Sequence, residues 1–220
     1  MDNRTTQRIF TLFGDLLDYP TPALADQAQE CAARLLLDAP EPANRLVDFM
    51  EFVHVTEPGY LEEIYTGTFD VNPACYIFAG YMLFGESFDR GKFLVRLQER
   101  YRERGFEWGR ELADHIPVIL RFLGTLQPGE ELAQNLIDKC LLPVLQKMRS
   151  NFDPDAARLN PYAGVLRALI EVLLPLAQEP LDLAQLVVDG PAGMRDREQP
   201  FLGERVHSLA QPPLEMEFSM

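Results

Sequence analysis

Apolar residues in this chain recur at spacings of three and four from Ile9 to Leu174, and no stretch alternates apolar with polar over a strand's length. That period lays one stripe along an α-helix, whereas a half-buried strand needs a period of two. The spacing therefore predicts an all-α protein: a single bundle of about eight helices built on one core. Prolines punctuate the pattern. Ile9, Phe10, Phe13, Leu16 and Leu17 form a first amphipathic helix closed by Tyr19-Pro20, because the residue before a proline disfavours α geometry. Pro22 to Leu37 reads as a second helix, Pro40 and Pro42 break the chain, and Asn44 to Val55 reads as a third. A short helix from Glu57-Pro58 to about Thr66 places Leu61, Ile64 and Tyr65 together.

The densest signal lies between Tyr65 and Leu126. Asn72 suits an N-cap with Pro73 at the first helical position, opening a helix to Phe84 that is apolar on every side and so expected to be buried all round. Ser87 or Asp89 can cap the next helix, whose stripe is Phe93, Leu94, Leu97 and Tyr101. A third helix opens at Asp114-His115-Ile116-Pro117, with Asp114 as its N-cap and Pro117 tolerated in the first turn. Trp108, between Gly105 and Gly109, is a packing anchor in a connection. Further on, Pro128 opens a long helix with an expected kink at Pro143, Asn151 to Asn160 is a loop, and Pro161 to about Ala177 is the last strong helix. Leu181 to Val188 reads as a further short helix. From Gly190 the period vanishes among Pro, Gly, Arg, Glu and Gln, which predicts a domain over 1–189 and a poorly ordered tail over 190–220.

Charge and motif content narrow the function. The net charge is −14, which repels phosphate backbones and anionic lipid, so neither nucleic acid nor a membrane surface is an expected partner. Acidic residues crowd residues 1–72, where 13 stand against 4 bases, and such a surface attracts a basic partner or simply confers solubility. No run is long and apolar enough to span a bilayer, and the N-terminus lacks the apolar core of a signal peptide, so a cytoplasmic protein is expected. Cys31, Cys75 and Cys140 are scattered and odd in number, which fits buried thiols in a reducing compartment. His54, His115 and His207 do not stand at metal-ligand spacing with each other or with the cysteines, and no phosphate-cradling glycine loop or nucleophile motif occurs. No metal, cofactor or catalytic residue is expected.

Three blocks carry a resemblance. Tyr65 followed by Phe69-Asp70-Val71-Asn72-Pro73, then Phe88-Asp89-Arg90-Gly91-Lys92, then Glu111-Leu112-Ala113-Asp114-His115-Ile116-Pro117, in that order, resemble the NarJ/TorD-type chaperones of molybdenum-containing oxidoreductases, most closely the nitrate reductase assembly branch. The resemblance spans roughly residues 60–126. It implies a helical fold, sometimes a domain-swapped homodimer, for which Ser87–Lys92 or the segment after Leu126 could be the hinge. It implies no catalysis. The partner would be the catalytic subunit of a molybdenum-cofactor reductase, held by its N-terminal segment while cofactor is inserted and before targeting; the cofactor belongs to that client. Tyr65, Phe69, Asp70, Phe88, Asp89, Arg90, Glu111, Asp114, His115 and Pro117 are the candidate client-contact residues. For each a plainer reading stands beside it: Tyr65 and Phe69 as core aromatics, Asp114 as a helix cap, Phe88 as a plug in the core. The rivals from other classes are a structural subunit of an oxidoreductase complex and a small helical enzyme with a site around Glu111, Asp114 and His115.

Overall fold

The computed structural model describes residues 1–70, 75–152 and 160–178. These residues form helices α1 (Asn3–Leu16), α2 (Leu24–Leu35), α3 (Pro40–Val55), α4 (Pro58–Phe69), α5 (Ala79–Phe84), α6 (Phe88–Glu103), α7 (Ile116–Leu123), α8 (Glu131–Leu136), α9 (Leu142–Asn151) and α10 (Pro161–Leu173). The fold is all-α, and the one β-type pairing among the described residues is an isolated bridge between Phe78 and His115. The expected helix over 181–188 and the tail over 190–220 lie outside the described residues.

Amphipathic periodicity builds one core. Helix α1 buries Ile9, Phe10, Phe13 and Leu16 against α2 and α7, while α3 lies between α2 and α10. Asp2 caps α1 by accepting from Thr5 N–H at 2.9 Å. At the α1–α7 crossing the backbones meet closely: a Cβ on Gly124 would stand 2.5 Å from Thr11 Oγ1 and 2.7 Å from the Gln7 carbonyl, so only glycine fits. The side chains of Cys31, Cys75 and Cys140 are buried free thiols, and burial pushes each thiol's pKa up, to about 12 for Cys75 and Cys140.

Several expected boundaries move, each for a physical reason. Pro40 and Pro42 do not break the chain; they sit in the first turn of α3, where a missing N–H costs nothing. The helix expected from Pro73 begins only at Ala79, because 77–79 are held extended against 114–116; residues 71–74 lie outside the described set. Nor is that segment buried all round, since Tyr76 is exposed and Tyr81 half-buried. Asp114 is not a cap: His115 takes the N-cap position of α7 without a side-chain hydrogen bond. The helix expected from Pro128 starts at Glu131 and widens into a π-turn over Ile137–Leu141, where Leu142 N–H donates to the Ile137 carbonyl five residues back. Pro143 follows in the first turn of α9, and lacking an N–H it cannot continue the α ladder, so the irregularity falls before it.

Candidate functional site

The site is assembled where the segment leading into α5 crosses the segment leading into α7. Ala79 N–H donates to the Asp114 carbonyl at 2.8 Å, and Ile116 N–H donates to the Ile77 carbonyl at 2.9 Å. His115 is extended, with φ −64° and ψ 122°. Helix α7 opens within the Asp114-His115-Ile116-Pro117 block, with Pro117 in its first turn, but Asp114 and His115 precede it in strand-like backbone, which frees the Asp114 side chain for a distant partner.

That partner is Arg90. Its Nε donates to Asp114 Oδ2 at 3.0 Å, with the Asp114 side chain fully buried and that of Arg90 20% exposed. Asp114 Oδ1 is buried with no hydrogen-bond partner. The guanidinium lies against two rings, its Cζ 5.8 Å from the Phe78 centroid and 5.7 Å from the Tyr81 centroid, within cation–π range. Gly80 makes room: a Cβ there would stand 2.7 Å from Asp114 Oδ2. Arg90 reaches this position because Ser87 Oγ caps α6, accepting from Arg90 N–H at 3.4 Å. Asp89 turns outward to Lys92 at 3.0 Å, and Lys92 Nζ covers the Phe88 ring at 4.8 Å. Phe88 does not plug the core; it is 80% exposed. Together with Glu86, Arg90, Leu94 and Leu112 it lines an open depression of about 520 Å³.

His115 serves a second cluster. Its ring packs on Phe78 at 5.3 Å between centroids, and Nδ1 is buried without a partner. Burial pushes its pKa down to about 4, helped by the Arg121 charge and opposed by the Asp18 carboxylate. Arg121 is itself held by Asp15 at 2.9 Å and Asp18 at 2.7 Å. Beside them stands Tyr65, whose hydroxyl donates to the Leu17 carbonyl at 3.4 Å. Burial raises the Tyr65 pKa most, and the charges of Asp18, Asp70, Tyr162 and Glu111 raise it further. Tyr19 closes the cluster: it is 47% exposed, packs edge-on to Tyr65 at 5.5 Å, and has its pKa raised by burial and by Glu62.

The candidate residues therefore divide. Tyr65 and Phe69 are buried core aromatics, packed on each other at 5.1 Å and on Tyr162. Pro117 is buried, its carbonyl facing Gly14. Asp70 and Glu111 are exposed and their charges act on Tyr65, whereas Phe88 and Arg90 line the depression on the α6 side and Asp89 lies outside its lining, paired with Lys92. Asp114 and His115, adjacent in the chain, join the two halves. Tyr19, Asp18, Phe78 and Tyr81 complete the site and were not singled out from sequence. Tyr19-Pro20, an aromatic at a helix end inside the most acidic part of the chain, is the signal that could have found the first two. Among the described residues no group of three or more His, Cys, Asp or Glu could hold a metal ion, and no helix is long and apolar enough to cross a membrane.

Comparison with known proteins agrees with this architecture. A family model described as "Nitrate reductase delta subunit" matches residues 33–153. The chain is 30% identical over 171 residues to a protein of Escherichia coli (strain K12) named nitrate reductase molybdenum cofactor assembly chaperone NarJ, covering 76% of this chain and 68% of that one. It is 27% identical over 176 residues to a Bacillus subtilis (strain 168) protein named probable nitrate reductase molybdenum cofactor assembly chaperone NarJ, covering 79% and 90%. A crystal structure of a candidate redox enzyme maturation protein from Archaeoglobus fulgidus superposes with a TM-score of 0.55 at 22% identity, over 79% of this chain and 95% of that one. The likeness in structure speaks for the fold. The chain belongs to the nitrate reductase delta subunit family of NarJ/TorD-type proteins.

Proposed function

We propose that this protein is a dedicated assembly chaperone for the catalytic subunit of a nitrate reductase-like molybdenum enzyme, working in the cytoplasm. It holds the N-terminal segment of that subunit while the cofactor is inserted, and releases it before targeting. The observation that carries this reading is the 30% identity, over 76% of the chain, to a relative named as such a chaperone. The site supports it in kind. An open depression with exposed Phe88 and Leu112 offers apolar contact, and the exposed carboxylates of Glu62, Asp70 and Glu111, whose charges act on Tyr19 and Tyr65, attract basic groups, so a segment that is apolar and basic finds both. Apolar burial at about 25 cal/mol per Å² sets how long the client stays, while exposed ion pairs worth about 0–1 kcal/mol each set encounter and choice of partner.

No bond is made or broken by this chain. Its work is to bind one form of the client and let go of another, so binding itself is the activity to measure. Affinity capture of the tagged chain from its own cells, followed by mass spectrometry, tests it. Recovery of a cofactor-free molybdoenzyme catalytic subunit, with the chain absent from the mature complex, supports the proposal. A stoichiometric place in the finished complex overturns it.

A further inference from the structure

The pocket around Arg90 is built like a receptor for an arginine. A buried carboxylate, Asp114, forms its floor, and the faces of Phe78 and Tyr81 form its walls. A planar guanidinium suits such a pocket better than an ammonium, since it stacks on rings and offers a fork of donors to both oxygens of a carboxylate. The resident arginine uses this set incompletely. Arg90 meets Asp114 Oδ2 through Nε, while Oδ1 stays buried and unpartnered. Arg90 also lines the open depression, so its side chain separates solvent from the carboxylate.

We infer that the Asp114–Phe78–Tyr81 pocket is a guanidinium receptor which the free protein fills with its own Arg90, and that an arginine of the client segment takes Arg90's place on binding. This rests on the chaperone reading for the identity of the incoming arginine, but the pocket's chemistry does not. Arriving from the depression, the client's fork can pair both Asp114 oxygens, and displaced Arg90 passes into solvent on the α6 side. The exchange makes the chaperone closed to cations when empty and selective for arginine over lysine when loaded. A client without an arginine at the right register would leave Arg90 in place and bind through the apolar depression alone.

The test uses ethylguanidinium as probe and needs no client. Arg90→Ala should melt earlier than the parent, and millimolar ethylguanidinium should restore it saturably, with half-saturation about tenfold lower than any effect on the parent, the factor expected if the resident side chain vacates its pocket a tenth of the time. Ethylammonium should not restore it, and Arg90→Ala/Asp114→Asn should not respond to either. Absence of rescue, or equal rescue in the double variant, overturns the inference. If Arg90→Ala does not fold, the Nε–H signal of Arg90 in the unaltered, isotope-labelled protein decides. It should be slow to exchange with solvent and vanish when a client N-terminal peptide binds, but persist with that peptide's arginines changed to lysine. A signal that persists with the arginine peptide bound overturns the inference. Failure of every client peptide to bind sinks the chaperone reading instead, and ethylguanidinium titrated into the unaltered protein then decides the pocket: loss of the Arg90 Nε–H signal supports the inference and its persistence at saturating probe overturns it.

Discussion

Arg90 Nε and Asp114 Oδ2 stand 3.0 Å apart across 24 residues of sequence, and the two are unequally buried, the arginine reaching solvent and the aspartate sealed beneath it. The inequality predicts an unequal response to mutation. Arg90→Ala strands a buried carboxylate and should cost about 3–5 kcal/mol. Asp114→Asn keeps the volume and leaves an arginine that can turn to water, and should cost about 1–3 kcal/mol. The double variant should cost less than Arg90→Ala alone. Chemical denaturation of the four proteins measures this, and additive costs would show that the pair does not interact.

His115 predicts a pH dependence. Its folded pKa, about 4, lies below its ordinary value near 6.5, so the unfolded chain binds the proton more readily. The neutral, folded form is favoured above pH 6.5, and that contribution falls away as pH drops from about 6.5 to about 4. A loss on the order of 3 kcal/mol is expected across that window. Burial is the main cause, with Arg121 adding to it and Asp18 opposing. Glu30, held down to about 2 chiefly by Arg8, with Arg34 adding to it, acts in a lower window, from its ordinary 4.5 to about 2, so the two separate on a pH scale. His115→Phe should flatten the upper slope when melting is followed from pH 7 to 4, and an unchanged slope would remove His115 as its source.

The α1–α7 crossing predicts a contrast between two glycines. Gly124→Ala drives a methyl group into Thr11 and the Gln7 backbone, and should cost about 1–3 kcal/mol. Gly164→Ala lies inside α10 with nothing within 4 Å of the new methyl group, and should gain up to about 1 kcal/mol from helix propensity. Thermal melts of the two variants would check the sign of each.

Tyr19 should matter to the client and little to the fold. It is 47% exposed and leans on Tyr65 beside Glu62 and Asp70. Tyr19→Ala should weaken client-peptide affinity about tenfold, as loss of an interface aromatic does, while stability changes by no more than about 1 kcal/mol. Peptide titration beside a melting curve separates the two effects.

What the sequence revealed follows from what is local. The stripes of α1, α3, α6 and α10 could be read from spacing, because burial of one helix face is imposed by residues three and four apart. Asp114 misleads for the same reason: an aspartate just before a proline-bearing first turn has the local signature of a cap. Its true partner lies in another helix, and no periodicity reports that. Gly80 and Phe78 likewise take their meaning from the Asp114 segment, which stands far along the chain. Tyr65 and Phe69, four apart, fall on one helix face, and only the Tyr162 ring from α10 decides between their two readings, because it shows that this face is the core. Pro40 and Pro42 carry the signature of breakers because a proline in the first turn of a helix and a proline between helices look alike in sequence.

The central claim is that this chain holds the N-terminal segment of a molybdoenzyme catalytic subunit. Calorimetric titration of that peptide into the full chain, at low and at high salt, tests it most directly. Saturable one-to-one binding is predicted, weakened by salt and by Asp70→Asn/Glu111→Gln, with a negative heat-capacity change from apolar burial. Absence of binding, or binding indifferent to salt and to those substitutions, would contradict it.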